Sequence, residues 1–416
     1  MNEPESVRSR WESAGRVQPA RGEVRALPWV TLGELARTFF LLGLTAYGGP
    51  AIVAQIRQTT LRKAWLTEGE LEDSLAYCQM LPGPVAVQFG AHIGWRLRGG
   101  IGAFIALTTY IAPAFLLMMI LSAVYFRVGE ISIVVAMLKG LRAATVGIVV
   151  GAILSMGRTA LKSWRSVPIA LGSAAGFLLH LNVLLVLAGA ALAGVLLLPR
   201  ASATMSGTAI RPDDQPDTVI GTSLVWPVMI LAAFVAMILS ANWLGPFYPP
   251  LGIAMAKVNL LAFGGGYTAL ALMYNQAVTA HAWISGSEFI DGLAMSQVTP
   301  GPVIVTATFI GYKLGGVSGA VFATVCVILP SGVLMVVFAP QFARVRKFKL
   351  MGPLVQGLLA AFIGMLLYVL WQVASVGVND PFTIALAIGS IVALRLKPNP
   401  VWIVLGAVAI SLIFAR

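Results

Sequence analysis

Two proline-rich steps carry the most pointed chemistry of this chain. Gln79-Met80-Leu81-Pro82-Gly83-Pro84 returns as Gln297-Val298-Thr299-Pro300-Gly301-Pro302. Proline removes a backbone donor and clashes with the preceding helical turn, while glycine adds backbone freedom, so neither step fits the middle of a regular helix. Proline is well suited to the first helical position, and Pro84 and Pro302 are expected to open new helices. The first N–H groups of a helix lack internal partners and lie at the positive end of its dipole, an arrangement that binds oxyanions. Two further interruptions, Gly48-Gly49-Pro50 and Gly264-Gly265-Gly266, have the same logic. Gln79, Gln88, Gln297 and Thr306 lie beside the breaks as hydrogen-bond donors, and Tyr47 and Phe263 as candidate walls. The four interruptions are expected to surround one cavity; the competing role for each is a simple kink or a close helix contact.

Ionisable residues inside apolar stretches form the second group. Lys139 and Arg142 share one helix face about two turns into the apolar run 131–156. A cation there is a candidate to neutralise a passing anion, with snorkelling to the interface as the alternative. Thr67-Glu68-Gly69-Glu70 and Ser285-Gly286-Ser287-Glu288 both fit a capping box, which gives Glu70 and Glu288 a structural role. Asp73 and Asp291, one turn further on, are the candidate proton carriers, or else ion-pair partners of Arg96 and Lys313. Cys78, Cys326, His92, His180 and His281 fall in unrelated contexts, so no disulfide framework, metal site or other cofactor is expected.

The elements that position these residues are apolar helices. The chain is 58% hydrophobic and only 11% charged. Its runs 101–126, 131–156, 224–241, 317–338 and 354–374 match or approach the ~20 apolar residues a membrane-spanning helix needs. An all-α polytopic membrane protein is therefore expected, with the lipid bilayer as its surroundings. The formal charge of +12 reflects arginines and lysines in the tail and short loops, not nucleic-acid binding. Residues 1–34 are expected to form a cytoplasmic tail without a secretory signal peptide, because no apolar run precedes a small-residue cleavage site.

The chain also repeats itself. Tyr47, Trp65, Glu70, Asp73, Gln79, Gly94, Gly102 and Pro113 match Phe263, Trp283, Glu288, Asp291, Gln297, Gly311, Gly319 and Pro330 at a near-constant offset. Gly140 with Gly357 and Gly147 with Gly364 extend the match more weakly, while Lys139 and Arg142 fall opposite Gln356 and Leu359. The expected division is a first repeat at 35–199, a polar linker at 200–223, a linking helix at 224–243 and a second repeat at 249–416. Basic residues follow the run 131–156 (Arg158, Lys162, Arg165) but not its counterpart, where Asn379 and Asp380 stand. Conversely, Arg344, Arg346, Lys347 and Lys349 follow 317–338, whereas Arg127 stands against Glu130 in the matching loop. The positive-inside rule then makes the repeats inverted, with about thirteen crossings and the C-terminus outside. That count takes each Pro-Gly-Pro step as a broken crossing instead of a re-entrant hairpin. Small-residue faces leave a homodimer open without locating its interface.

At these residues the chain resembles the chromate ion transporter family in its long, two-domain form. The carriers of the resemblance are Tyr47-Gly48-Gly49-Pro50, Leu81-Pro82-Gly83-Pro84 with Gln88, Phe263-Gly264-Gly265-Gly266-Tyr267, the second Pro-Gly-Pro step and Phe309-Ile310-Gly311-Tyr312. The resemblance implies an inner-membrane antiporter or exporter that moves chromate outward, coupled to the proton gradient. Chromate is a tetrahedral dianion like sulfate, which suits backbone donors at helix starts. The chain departs from the family pattern at Ala51-Ile52-Val53-Ala54 and at Val85-Ala86-Val87, so oxyanion transport follows more directly than chromate specificity. An embedded enzyme lacks support in any metal cluster or nucleophile arrangement, and the linker is far too short for a nucleotide-binding domain. An idle scaffold gains nothing from interrupting its helices.

Overall fold

The computed structural model of the chain describes residues 28–47, 49–128, 131–199, 225–263, 266–338, 350–395 and 400–414. Among them lie fifteen α-helices. The first repeat holds α1 (Leu32–Thr45), α2 (Gly49–Arg62), α3 (Glu68–Met80), α4 (Val85–Val128), α5 (Ser132–Ala160), α6 (Ser166–Leu178) and α7 (Val183–Leu197). The single helix α8 (Val225–Ser240) follows. The second repeat matches the first helix for helix: α9 (Tyr248–Leu261), α10 (Gly266–Tyr274), α11 (Gly286–Val298), α12 (Thr306–Phe338), α13 (Met351–Gly377), α14 (Pro381–Arg395) and α15 (Pro400–Phe414). Four of these, α4, α5, α12 and α13, contain stretches long and apolar enough to cross a membrane.

The interruptions reverse the chain. Lys63, just past α2, pairs with Glu34 at the start of α1 (2.9 Å), so these helices run antiparallel. Arg96, late in the first limb of α4, pairs with Glu70 at the start of α3 (2.9 Å), and Lys313 with Glu288 likewise in the second repeat (2.7 Å). Each Pro-Gly-Pro step is thus the tip of a helical hairpin whose base carries charges. The thirteen-crossing count required each step to run straight on, and it loses its basis here. Hydropathy records how apolar a segment is and not which way it leaves the break.

A second reversal follows within α4 and α12. Arg98 and Gly99 leave helical geometry, as do Gly315 and Gly316, and both Gly99 (φ 62°) and Gly316 (φ 60°) adopt the left-handed region that favours glycine. Eight residues of straight helix would span about 12 Å. Instead a Cβ added at Gly94 would lie 2.4 Å from the Gly102 carbonyl oxygen, and one at Gly311 only 2.2 Å from that of Gly319. The limbs therefore fold back in close contact. The long limb, 101–128, measures about 40 Å. Its far end meets the other repeat's hairpin base, where Lys313 lies 5.0 Å from the Phe126 ring and Tyr312 stacks on it.

The last two helices of each repeat are exchanged. Helix α5 packs on α14 and α15, and α13 on α6 and α7. The glycines that matched most weakly in sequence make these crossings. A Cβ at Gly140 would meet the Ala407 carbonyl oxygen at 2.5 Å, and one at Gly357 that of Ala190 at 2.4 Å. Gly147 against Ser390 and Gly364 against Ala170 repeat the arrangement, as expected of small residues where membrane helices approach.

Both capping boxes are formed: Thr67 and Ser285 accept from the backbone of Glu70 and Glu288, whose carboxylates accept in return. Each carboxylate also holds its hairpin base through Arg96 or Lys313. Glu70→Ala and Glu288→Ala should each cost about 1–2 kcal/mol, the range for losing a cap together with a partly exposed pair. The expected readout is a lower yield of folded protein with near-normal transport per folded molecule.

Candidate functional site

The hairpin tips of the two repeats meet each other. The Gly83 N–H donates to the Ala262 carbonyl (2.8 Å), and the Gly301 N–H donates to the Ala46 carbonyl (2.7 Å). Ala46 and Ala262 end equivalent helices, and Gly83 and Gly301 occupy equivalent tips. Each repeat thus gives the other the same bond, the reciprocity of a two-fold interface. Tyr47 and Gly301 form the accompanying bridge. Gly83 (φ 123°) and Gly301 (φ 105°) hold backbone angles that other residues rarely adopt.

Most of the expected site residues gather here. Gly83, Pro84, Pro300, Gly301 and Pro302 are buried and Pro82 is half-buried. Pro84 directly precedes α4, while Pro302 is followed by a short 3-10 turn, Val303–Val305, so α12 begins at Thr306. Gly49 and Pro50 open α2, and Gly266 opens α10. Gly48, Gly264 and Gly265 lie outside the described residues. Gln88 donates to the Pro82 carbonyl (2.5 Å), leaving its buried Oε1 without a partner, and the buried Nε2 of Gln297 is likewise unpaired. Thr306 spends its hydroxyl proton on the Val303 carbonyl, and Gln79 is exposed.

The titratable residues sort differently. Arg142 Nε and Nη2 donate to Asp291 Oδ1 and Oδ2 at 2.6 and 2.7 Å, and the Tyr125 hydroxyl donates to Oδ2 at 2.8 Å. The Asp291 side chain is 0% exposed and that of Arg142 is 29% exposed. Two candidates that the sequence treated separately are therefore one group, and the ion-pair partner of Asp291 is Arg142, not Lys313, which the sequence offered as one alternative. Tyr125 was not singled out, because a tyrosine at the end of an apolar run reads as an interfacial anchor. Lys139, three residues before Arg142, turns instead to Asp380 (2.6 Å), before α14. That ammonium and the Thr383 N–H hold the Asp380 carboxyl down at about 2. The pair stays charged above the usual carboxylate range and is lost only as pH falls through about 2. Asp73 is half-buried on α3.

An open cavity of about 770 Å³ leads to Arg142. It is lined by Tyr125, Phe126 and Arg127 from α4, by Ile131 just before α5 and Leu138 within it, and by Glu288 and Lys313 of the opposite hairpin base. Of its three cations, Arg142 is paired with Asp291 and Lys313 with Glu288, which leaves Arg127 as the excess positive charge of the lining. Asp291 lies on α11 between Glu288, which lines this vestibule, and the helix end at Val298, about 10 Å further toward the tip. No group of three or more His, Cys, Asp or Glu suited to a metal occurs among the described residues.

The chromate transporter family profile matches residues 33–195 and 249–412, one stretch per repeat and together well over half of the chain. The chain belongs to the chromate transporter family. It is 32% identical to a chromate transport protein of Pseudomonas aeruginosa over 82% of this chain and 80% of that one. It is 28% identical to a chromate transport protein of Cupriavidus metallidurans over 95% and 96%. An uncharacterised transporter of Methanocaldococcus jannaschii is 30% identical over 80% and 82%. No solved structure matches. Membership makes this a multi-pass membrane transporter, in keeping with its apolar helices.

Proposed function

We propose that the protein is a secondary transporter of tetrahedral oxyanions that moves chromate out across the inner, plasma membrane, with sulfate as its nearest rival substrate. The energy comes from the proton gradient. The observation that carries this reading is the reciprocal bond pair at the tips, Gly83 to Ala262 and Gly301 to Ala46, which joins each interruption of one repeat to one of the other. Interrupted helices that meet near mid-membrane are where transporters with inverted repeats bind their cargo. Chromate enters the reading from the relatives named for it.

The repeats are inverted, and one rocks against the other about the tips to give alternating access. The placement of the two hairpin bases at opposite ends of the 101–128 limb supports the inversion: Gly99 follows one base, and Phe126 touches the other. With both hairpins of each repeat re-entrant, each repeat crosses about four times and α8 once more, about nine crossings in all. Arg158, Lys162 and Arg165 then share the cytoplasmic side with the basic residues at 344–349 and with the N-terminus, and the C-terminus lies outside. At 13 to 15 residues, α6, α7, α14 and α15 are shorter than the hydrocarbon core and would cross it with local thinning.

The test is uptake of radiolabelled chromate by inside-out vesicles, with and without a proton gradient and with excess sulfate as competitor. The expected result is gradient-dependent uptake that excess sulfate reduces without abolishing. Complete block by sulfate would reassign the principal substrate, and no uptake of either anion by folded protein would overturn the reading.

A further inference from the structure

The Arg142–Asp291–Tyr125 group is a built site that the tips alone do not explain. Arg142 presents two parallel donors to a carboxylate that is wholly shielded from solvent, and Tyr125 supplies a third. Arg142 also lines the cavity and its side chain is 29% exposed, so it is open to the vestibule while it holds Asp291. A guanidinium fork holds the paired oxygens of a carboxylate or of a tetrahedral oxyanion with the same geometry. Resting on the oxyanion-transport reading above, we propose that Asp291 is the built-in competitor of the transported oxyanion for Arg142, so that anion binding is accompanied by uptake of one proton on Asp291.

The balance is simple. The proton comes from water on the side from which the anion is loaded and ends on a carboxylate oxygen of Asp291; no covalent bond of the anion changes. Once neutral, Asp291 no longer compensates Arg142, and the incoming dianion takes over the fork. Release of the anion returns Asp291 to Arg142 and expels the proton. Anion and proton are loaded together, so this site produces cotransport of the two and not their exchange. Outward movement of a dianion with one proton carries one net negative charge, so the electrical part of the proton gradient, negative inside, drives it while the pH difference opposes it.

The surroundings leave few competitors for this role. Glu288, on the same helix, is engaged with Lys313 of α12. Helix α4 contributes Tyr125, and α5 contributes Arg142. From α13 the titratable group is Tyr368, and α10 contributes Tyr274 against Phe289. The stretches Met351–Gly377 and Pro400–Phe414, which also pack on α11, contain no charged residue. The second repeat's Leu359 stands where Arg142 does in the first, so the device occurs once per molecule.

Binding of labelled sulfate to the purified full-length protein, measured across the neutral pH range, tests the proposal; sulfate stays a dianion throughout. One linked proton makes affinity fall about tenfold per pH unit above the midpoint. Asp291→Asn keeps the shape without the charge and should bind with an affinity independent of pH. Tyr125→Phe removes a hydrogen bond that favours the ionised carboxylate and should move the midpoint to higher pH while the slope persists. If Asp291→Asn does not fold, the Tyr125→Phe shift decides. Wild-type affinity that is flat, or that weakens as pH falls, would overturn the linkage and leave oxyanion transport standing. Absence of sulfate and chromate binding at every pH would overturn both.

Discussion

Arg142→Leu should abolish oxyanion transport and cost the fold about 3–5 kcal/mol, the penalty for leaving a buried charge without its partner. The size follows from Asp291, which has no exposure of its own and receives two of its three side-chain bonds from Arg142. Leucine is the informative replacement because the second repeat uses Leu359 at the equivalent place. A stability loss alone would not distinguish a structural pair from a working one. The double variant Arg142→Leu with Asp291→Leu makes the distinction: apolar replacement of a whole buried pair is often neutral or stabilising, so folded yield should recover. Transport should not recover. Thermal unfolding of the purified protein and vesicle flux per folded molecule read the two effects separately, and recovery of flux in the double variant would remove Arg142 from the transport path.

The parts of this architecture that were legible in the sequence are those written in local chemistry. Pro-Gly-Pro shows that a helix must stop, and Thr67 with Glu70, like Ser285 with Glu288, shows that one must begin. The duplication was visible in the spacing of glycines, aromatics and acids. Direction was not visible. A broken helix that runs on and one that turns back have the same composition, and only the pairs Glu34–Lys63, Glu70–Arg96 and Glu288–Lys313 separate them. The central site was half legible for a related reason. Arg142 and Asp291 each looked out of place in an apolar stretch, but 149 residues separate them, and nothing local relates one to the other. The exchange of α6–α7 and α14–α15 between repeats left one trace: Gly140, Gly147, Gly357 and Gly364 kept their spacing where other matches faded, because a backbone crossing tolerates no side chain there.

Alanine at the tips should damage transport severely, although only a single methyl group is added. Gly83 and Gly301 hold φ of 123° and 105°, a region in which a non-glycine residue costs of order 1–3 kcal/mol. Space adds to the cost unequally. A Cβ at Gly83 would lie 2.6 Å from the Cβ of Ser331 and 2.7 Å from Gln88 Nε2, whereas one at Gly301 meets the Ala114 Cβ at 2.9 Å. Gly83→Ala should therefore be the more severe of the two. Each substitution also strains one of the reciprocal bonds, to Ala262 or to Ala46, through which the repeats hold each other. Ala114→Gly added to Gly301→Ala removes the close contact but leaves the backbone angle, so it should restore part of the folded yield and little of the flux. The expected loss of flux per folded molecule is at least about tenfold, equivalent to about 1.4 kcal/mol in the transport barrier. Near-normal flux in Gly83→Ala would mean that the tips only brace the fold, and the anion path would then have to be sought between the vestibule and the exchanged helices.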